Sequence, residues 1–123
     1  MRVLLVDDEK ELISTLSERL SYRGVDSDWV CSAKDAISKT EEQPYDIAIL
    51  DIKMPEIDGF KLKKKLQENN PNMKFIFMTG HGSDNYYHIG TQETGKEFYL
   101  VKPVNIELLI RKLNEVIKKQ GDL

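Results

Sequence analysis

The chain has 123 residues, room for one domain with one sizeable core and too few for two. Apolar residues make up 40% and charged residues 32%, with both signs interleaved, the balance of a globular protein and not of a disordered one. A net charge of −3 leaves no basic footprint for nucleic acid, no apolar run nears the ~20 residues of a membrane helix, and the N-terminus lacks a secretory pattern, so a cytoplasmic chain is expected.

Residues 3–6 (VLLV) read as a buried strand that ends on two adjacent carboxylates, Asp7 and Asp8, with Glu9 behind them. Acids so placed repel one another, and near an interior that repulsion is poorly screened. Leu12, Ile13, Leu16 and Leu20 then recur at helical spacing and stop at Gly24, a good helix terminator. Residues 25–31 (VDSDWVC) are strand-like but carry acids where a fully buried strand would carry aliphatics, which predicts an edge. Cys31 is the single cysteine; it has no partner for an internal disulfide and reads as a small buried hydrophobe.

Ser32 opens a short helix with Asp35 three residues on, and Pro44 follows its end. Residues 47–50 (IAIL) form a third strand that delivers Asp51. Asp58-Gly59 turns into FKLKKKLQEN, where Phe60, Leu62 and Leu66 supply the buried side and the lysines a solvated face. Residues 75–78 (FIFM) end on Thr79 and Gly80. Residues 85–91 (NYYHIGT) are mediocre helix formers with Gly90 inside, which predicts a short, irregular or mobile helix within the segment 82–95. Its neighbourhood holds the two histidines, His81 and His88, whose spacing is a weak zinc signal and reads as surface. Residues 98–101 (FYLV) form the last strand and deliver Lys102 and Pro103, after which Asn105 caps a helix with a wide apolar stripe from Ile106 to Ile117.

Five strands thus alternate with five helices, a pattern that implies right-handed crossovers and one doubly wound parallel sheet covered on both faces. Placing the most apolar strands centrally gives the order 2-1-3-4-5. In such sheets ligands sit beyond the carboxyl ends of the strands, at the switch between strands 1 and 3.

That crevice receives Asp7, Asp8, Asp51, Thr79 and Lys102 from successive strand ends. Taken singly, each has a plainer reading: the acidic pair as charges on a helix N-terminus, Asp51 as a turn former, Thr79-Gly80 as the start of a loop, Lys102-Pro103 as a solvated lysine before a turn. Their joint placement favours a site. Three crowded carboxylates either share a proton or recruit a cation, and a hard divalent ion such as Mg²⁺, with Mn²⁺ able to take its place, suits oxygen ligands. A carboxylate beside a metal and a lysine can attack phosphorus, and Thr79 can donate a hydrogen bond to a phosphoryl oxygen.

The motifs LLVDDE, LDIKMPEIDGF, MTGHG and FYLVKP together resemble the response-regulator receiver domains of two-component signalling, over essentially the whole chain. The resemblance implies a flavodoxin-like receiver unit over residues 1–120 with a frayed tail at 121–123. It implies that Asp51 is the phosphoacceptor, served by a sensor histidine kinase or a phosphotransfer protein, and that the only chemistry is self-catalysed phosphoryl transfer and hydrolysis. It implies a Mg²⁺ site made by Asp8, Asp51 and the backbone carbonyl of Lys53, with Asp7 acting through a water. Thr79, Gly80 and Lys102 would bind the phosphoryl group, with Lys102 also paired to Asp51, and Pro103 would follow a cis peptide bond. Thr79 and Tyr99 would form the switch, and a homodimer that forms on phosphorylation is among the partners it allows, with no direct nucleic-acid or membrane binding. His81, two residues after Thr79, would lie near enough to the site to influence aspartyl-phosphate lifetime.

Two other classes compete. A metal-dependent phosphatase with an aspartate nucleophile would use the same cluster, but Lys53 stands where haloacid-dehalogenase-like enzymes carry a second acid. An interaction module without phosphorylation would have no need of all five polar residues. A dinucleotide site is weaker still, because no glycine-rich turn follows the first strand.

Overall fold

Aliphatic residues fill positions 3–6 and 47–50 without a polar interruption, and in the computed structural model both runs are interior strands of one sheet. The structure describes residues 1–80 and 99–121, with side chains as far as residue 118. The strands are β1 (Arg2–Val6), β2 (Asp26–Val30), β3 (Ile47–Asp51), β4 (Lys74–Thr79) and β5 (Tyr99–Val101). They pair in parallel in the order β2-β1-β3-β4-β5, the doubly wound order expected from the sequence. Four helices occur among the described residues: α1 (Lys10–Tyr22), α2 (Ala33–Glu42), α3 (Gly59–Asn69) and α4 (Ile106–Gly121). The further helix expected over residues 82–95 lies outside the described residues, as do His81 and His88.

Successive strand residues point to opposite faces, so an unbroken apolar strand needs a helical cover on each side. Val3, Leu5, Ile47, Ile49, Ile76 and Met78 pack against Ile13, Leu16 and Leu20 of α1 and Leu109, Leu113 and Val116 of α4. Leu4, Val6, Ala48, Leu50, Phe75 and Phe77 pack on the other side against α2 and α3, through Ala33, Ala36, Leu62 and Leu66. Each fully buried Leu or Ile contributes roughly 2 kcal/mol, so these two layers dominate the stability.

β2 is the edge that its acids suggested, and the structure supplies their partners. Arg2 opposite Asp26 reaches Asp26 Oδ2 with Nε at 3.2 Å, Asp28 Oδ2 with Nη2 at 2.9 Å and Gln43 Oε1 with Nη1 at 2.6 Å. The Tyr45 hydroxyl donates to the same Asp28 oxygen at 2.5 Å. Burial and this hydrogen bond push the Tyr45 phenol well above its ordinary range. Because the carboxylates are partly exposed, each ion pair adds no more than about 1 kcal/mol. They satisfy the acids of the edge strand, while burial holds the sheet together.

Ser32 and Asn105 cap their helices as expected, and Asp58, expected only as part of a turn, caps α3 as well. Ser32 Oγ accepts from the Asp35 N–H at 3.1 Å, Asp58 Oδ1 from the Lys61 N–H at 2.9 Å, and Asn105 Oδ1 from the Leu108 N–H at 3.0 Å. Gly24, after α1, takes φ +78°, the left-handed conformation that favours glycine there.

Candidate functional site

Two strand ends and the turns after two further strands build the site. β3 finishes on Asp51, β4 on Thr79, and the residues after β1 and β5 are Asp7, Asp8 and Lys102. Backbone bonds lock these ends together: the Asp7 N–H donates to Val30 O at 3.3 Å, Ile52 N–H to Met78 O at 3.0 Å, and Lys102 N–H to Thr79 O at 2.8 Å. The loop after Asp51 folds back so closely that the Gly59 N–H donates to Ile52 O at 2.7 Å, and a Cβ on Gly59 would stand 2.7 Å from the Asp51 carbonyl oxygen. Glycine at 59 is therefore a condition for the path of the loop after Asp51.

The carboxylates converge as the sequence implied. Asp7, Asp8 and Asp51 each offer an oxygen within 4.8 Å of the others; Asp7 and Asp51 are buried and Asp8 is exposed. Lys102 Nζ lies 2.7 Å from Asp7 Oδ2, 3.4 Å from Asp51 Oδ1 and 3.5 Å from Glu9 Oε1. The lysine expected to pair with Asp51 thus also holds Asp7, and holds it more closely. Asp7 Oδ1 accepts the Glu9 N–H at 2.9 Å, which aims its other oxygen at the lysine.

Burial raises the Asp51 carboxyl to about 6, with the Asp7 charge adding to the rise and Lys102 opposing it. Burial also raises Asp7, against the hydrogen bonds from Lys102 and the Glu9 N–H. Burial alone would lower the Lys102 ammonium, but its hydrogen bond to Asp7 and the charges of Asp51, Asp7 and Glu9 outweigh burial and raise it. One ammonium among three carboxylates leaves surplus negative charge that a divalent cation would neutralise, and an all-oxygen donor set suits Mg²⁺. The residues present therefore fit such an ion.

Thr79 is buried at the end of β4, opposite Val101, and Gly80 follows it at the surface, where an added Cβ would meet nothing among the described residues. Tyr99 is buried, its ring stacked on Phe77 with centroids 5.3 Å apart, and Phe60 of α3 lies 4.8 Å from Phe77 and 6.4 Å from Tyr99. The Lys53 side chain is exposed, and the Lys102–Pro103 peptide bond is cis. Sequence reasoning assigned Glu9 no role and missed Phe60 as a neighbour of Tyr99. The run DDE carried the first signal; the second depends on a contact across 39 positions that no local pattern encodes.

A family model described as the response regulator receiver domain matches residues 3–114. Among curated proteins, the chain is 29% identical over its whole length to the transcriptional regulatory protein TrcR of Mycobacterium tuberculosis, covering 48% of that relative. It is 28% identical over 97% of its length to the response regulator ArlR of Staphylococcus aureus, covering 53% of that relative. The chain therefore spans about half the length of these relatives. Among solved structures, a CheY-like response regulator receiver domain protein from Methanospirillum hungatei superposes with a TM-score of 0.86 at 28% identity, covering 98% of this chain and 96% of that one.

Proposed function

Because the chain belongs to the response regulator receiver domain family, we propose that it is a signalling switch in which Asp51 takes a phosphoryl group from a phosphohistidine on a sensor kinase or phosphotransfer protein. An Asp51 carboxylate oxygen attacks phosphorus, the P–N bond to the donor imidazole breaks, and its electron pair returns to the ring nitrogen. A carboxyl raised to about 6 is mostly ionised at neutral pH, as a nucleophile must be. A Mg²⁺ or Mn²⁺ ion held by Asp8, Asp51 and the Lys53 carbonyl, with Asp7 acting through water, would supply positive charge against the phosphoryl oxygens.

The remaining work falls to this chain's side chains. Lys102, within reach of Asp51 at 3.4 Å, turns its ammonium to a phosphoryl oxygen, while Asp7 keeps the lysine in place. Thr79 and the Gly80 backbone contribute hydrogen bonds to the same group. Through Thr79 and Tyr99, phosphorylation biases an existing two-state equilibrium that an output partner, an attached effector domain or a second copy of the chain reads. The domain signals and turns over no separate substrate; hydrolysis of its own aspartyl phosphate resets it in the cytoplasm.

The observation that supports this most is the convergence of three carboxylates and one ammonium at the carboxyl edge of the sheet. Intact-mass measurement after incubation with a small phosphodonor and Mg²⁺ tests it. One phosphoryl group should add to this chain and none to Asp51→Asn; a mass gain that persists in the variant sinks the assignment.

A further inference from the structure

The lysines of FKLKKKLQEN, read from sequence as a solvated face, divide into two sets. Lys63 turns toward Phe75, its Nζ 5.9 Å from the ring centroid. Lys61, Lys64 and Lys65, at the three- and four-residue spacing that shares one helix face, instead rim a groove of about 760 Å³ between α2 and α3. Lys34 of α2 is also among the lining residues, and the apolar lining is Ala33, Ile37 and Ile57. Lys34, Lys61, Lys64 and Lys65 form no ion pair among the described residues, and Glu56 is the only acid in the lining.

We propose that this α2–α3 groove docks an acidic, aliphatic-bearing segment of a partner polypeptide. Four lysines against one acid make the lining of this concavity net positive on a chain whose net charge is −3, and the concavity focuses that charge. The rim selects carboxylates, and the aliphatic floor accepts Leu, Ile or Val side chains, as in grooves that take one face of an amphipathic segment. Nucleic acid is disfavoured because the lining holds no aromatic side chain on which a base could stack. A membrane surface is disfavoured because the apolar residues form the floor of a concavity and do not protrude. The proposal is independent of phosphorylation at Asp51.

Panning a library of short random peptides on the folded chain tests it, with the double variant Lys61→Glu/Lys64→Glu as the counter-target. Both positions are exposed, and matching thermal unfolding curves would verify that the variant folds. Selected peptides should be rich in Asp or Glu with interleaved aliphatics. They should lose about tenfold or more in affinity on the variant, weaken as salt rises, and shift the amide resonances of residues 33–38 and 57–65. The proposal is overturned if nothing is enriched, if the enriched peptides are neutral or basic, or if the variant binds them equally. It is also overturned if single-stranded oligonucleotides or phosphatidylserine vesicles bind the chain as tightly as the best peptide does.

Discussion

Lys102 Nζ sits 2.7 Å from Asp7 Oδ2, closer than its 3.4 Å to the proposed phosphoacceptor Asp51. Asp7 is fully buried, so its carboxylate has lost its hydration and gains from a nearby cation. The lysine is thereby parked between two acids, anchored on one and within reach of the other. A cation held this way can shift onto a new anion at Asp51 without a long side-chain search.

Lys102→Met, which keeps the alkyl stem and removes the charge, should cost about 3 kcal/mol of stability at pH 8 without metal, because Asp7 and Asp51 then face each other uncompensated. The cost should shrink toward pH 5 as one carboxyl takes up a proton. Urea unfolding at both pH values in a chelator checks this; a cost independent of pH would mean that the acids are not coupled through the lysine.

The Asp51 carboxyl rises from its ordinary 3.8 to about 6 on folding, so the native chain binds a proton more readily than the unfolded one between those values. Stability without metal should therefore fall as pH climbs from about 4 to about 6, by about 3 kcal/mol at most. Below that window the acid is protonated in both states and contributes nothing. Asp51→Asn should be more stable than the parent above pH 6 and converge with it near pH 4, and Mg²⁺ should narrow the gap by stabilising only the parent. Equal pH profiles of the two proteins in a chelator would contradict this.

The parts of this arrangement that were legible in the sequence are those set by neighbours along the chain. The apolar runs before Asp7 and Asp51 and the caps Ser32 and Asn105 needed only local pattern. So did the acids of β2, whose presence alone marked an edge strand. What stayed hidden depends on distant pairings. The donors to Asp28 come from Arg2 on β1 and from Gln43 and Tyr45 in the loop after α2, so the sequence could show that the acids needed partners but not which. The closer approach of Lys102 to Asp7 than to Asp51 is likewise set by three-dimensional placement, since the two acids look alike in one dimension.

Gly59→Ala should test how tightly the loop after Asp51 is held. The added methyl would meet the Asp51 carbonyl oxygen at 2.7 Å and Ile52 Cα at 2.9 Å, both backbone atoms that cannot yield without moving the strand end. A loss of about 1–3 kcal/mol is expected, together with slower phosphorylation from a small phosphodonor at saturating Mg²⁺. A stability loss with an unchanged phosphorylation rate would show that the loop path does not set the position of Asp51.

Phe60 flanks both rings of the Phe77–Tyr99 stack, at 4.8 and 6.4 Å, and so forms one wall of the space that the Tyr99 ring occupies. Phe60→Ala removes that wall from a partly buried position, at a cost of about 2 kcal/mol. The buried Tyr99 ring loses contacts on one side only, so the variant should fold but spend more time with the ring turned out. Binding of a phosphoryl mimic at Asp51, if it acts through Thr79 and Tyr99, should then draw the ring back in and recover part of the lost stability. Side-chain couplings of Tyr99 measured with and without the mimic decide the matter. A ring that keeps one rotamer population in all four states would separate Tyr99 from the switch and leave Phe60 with a packing role alone.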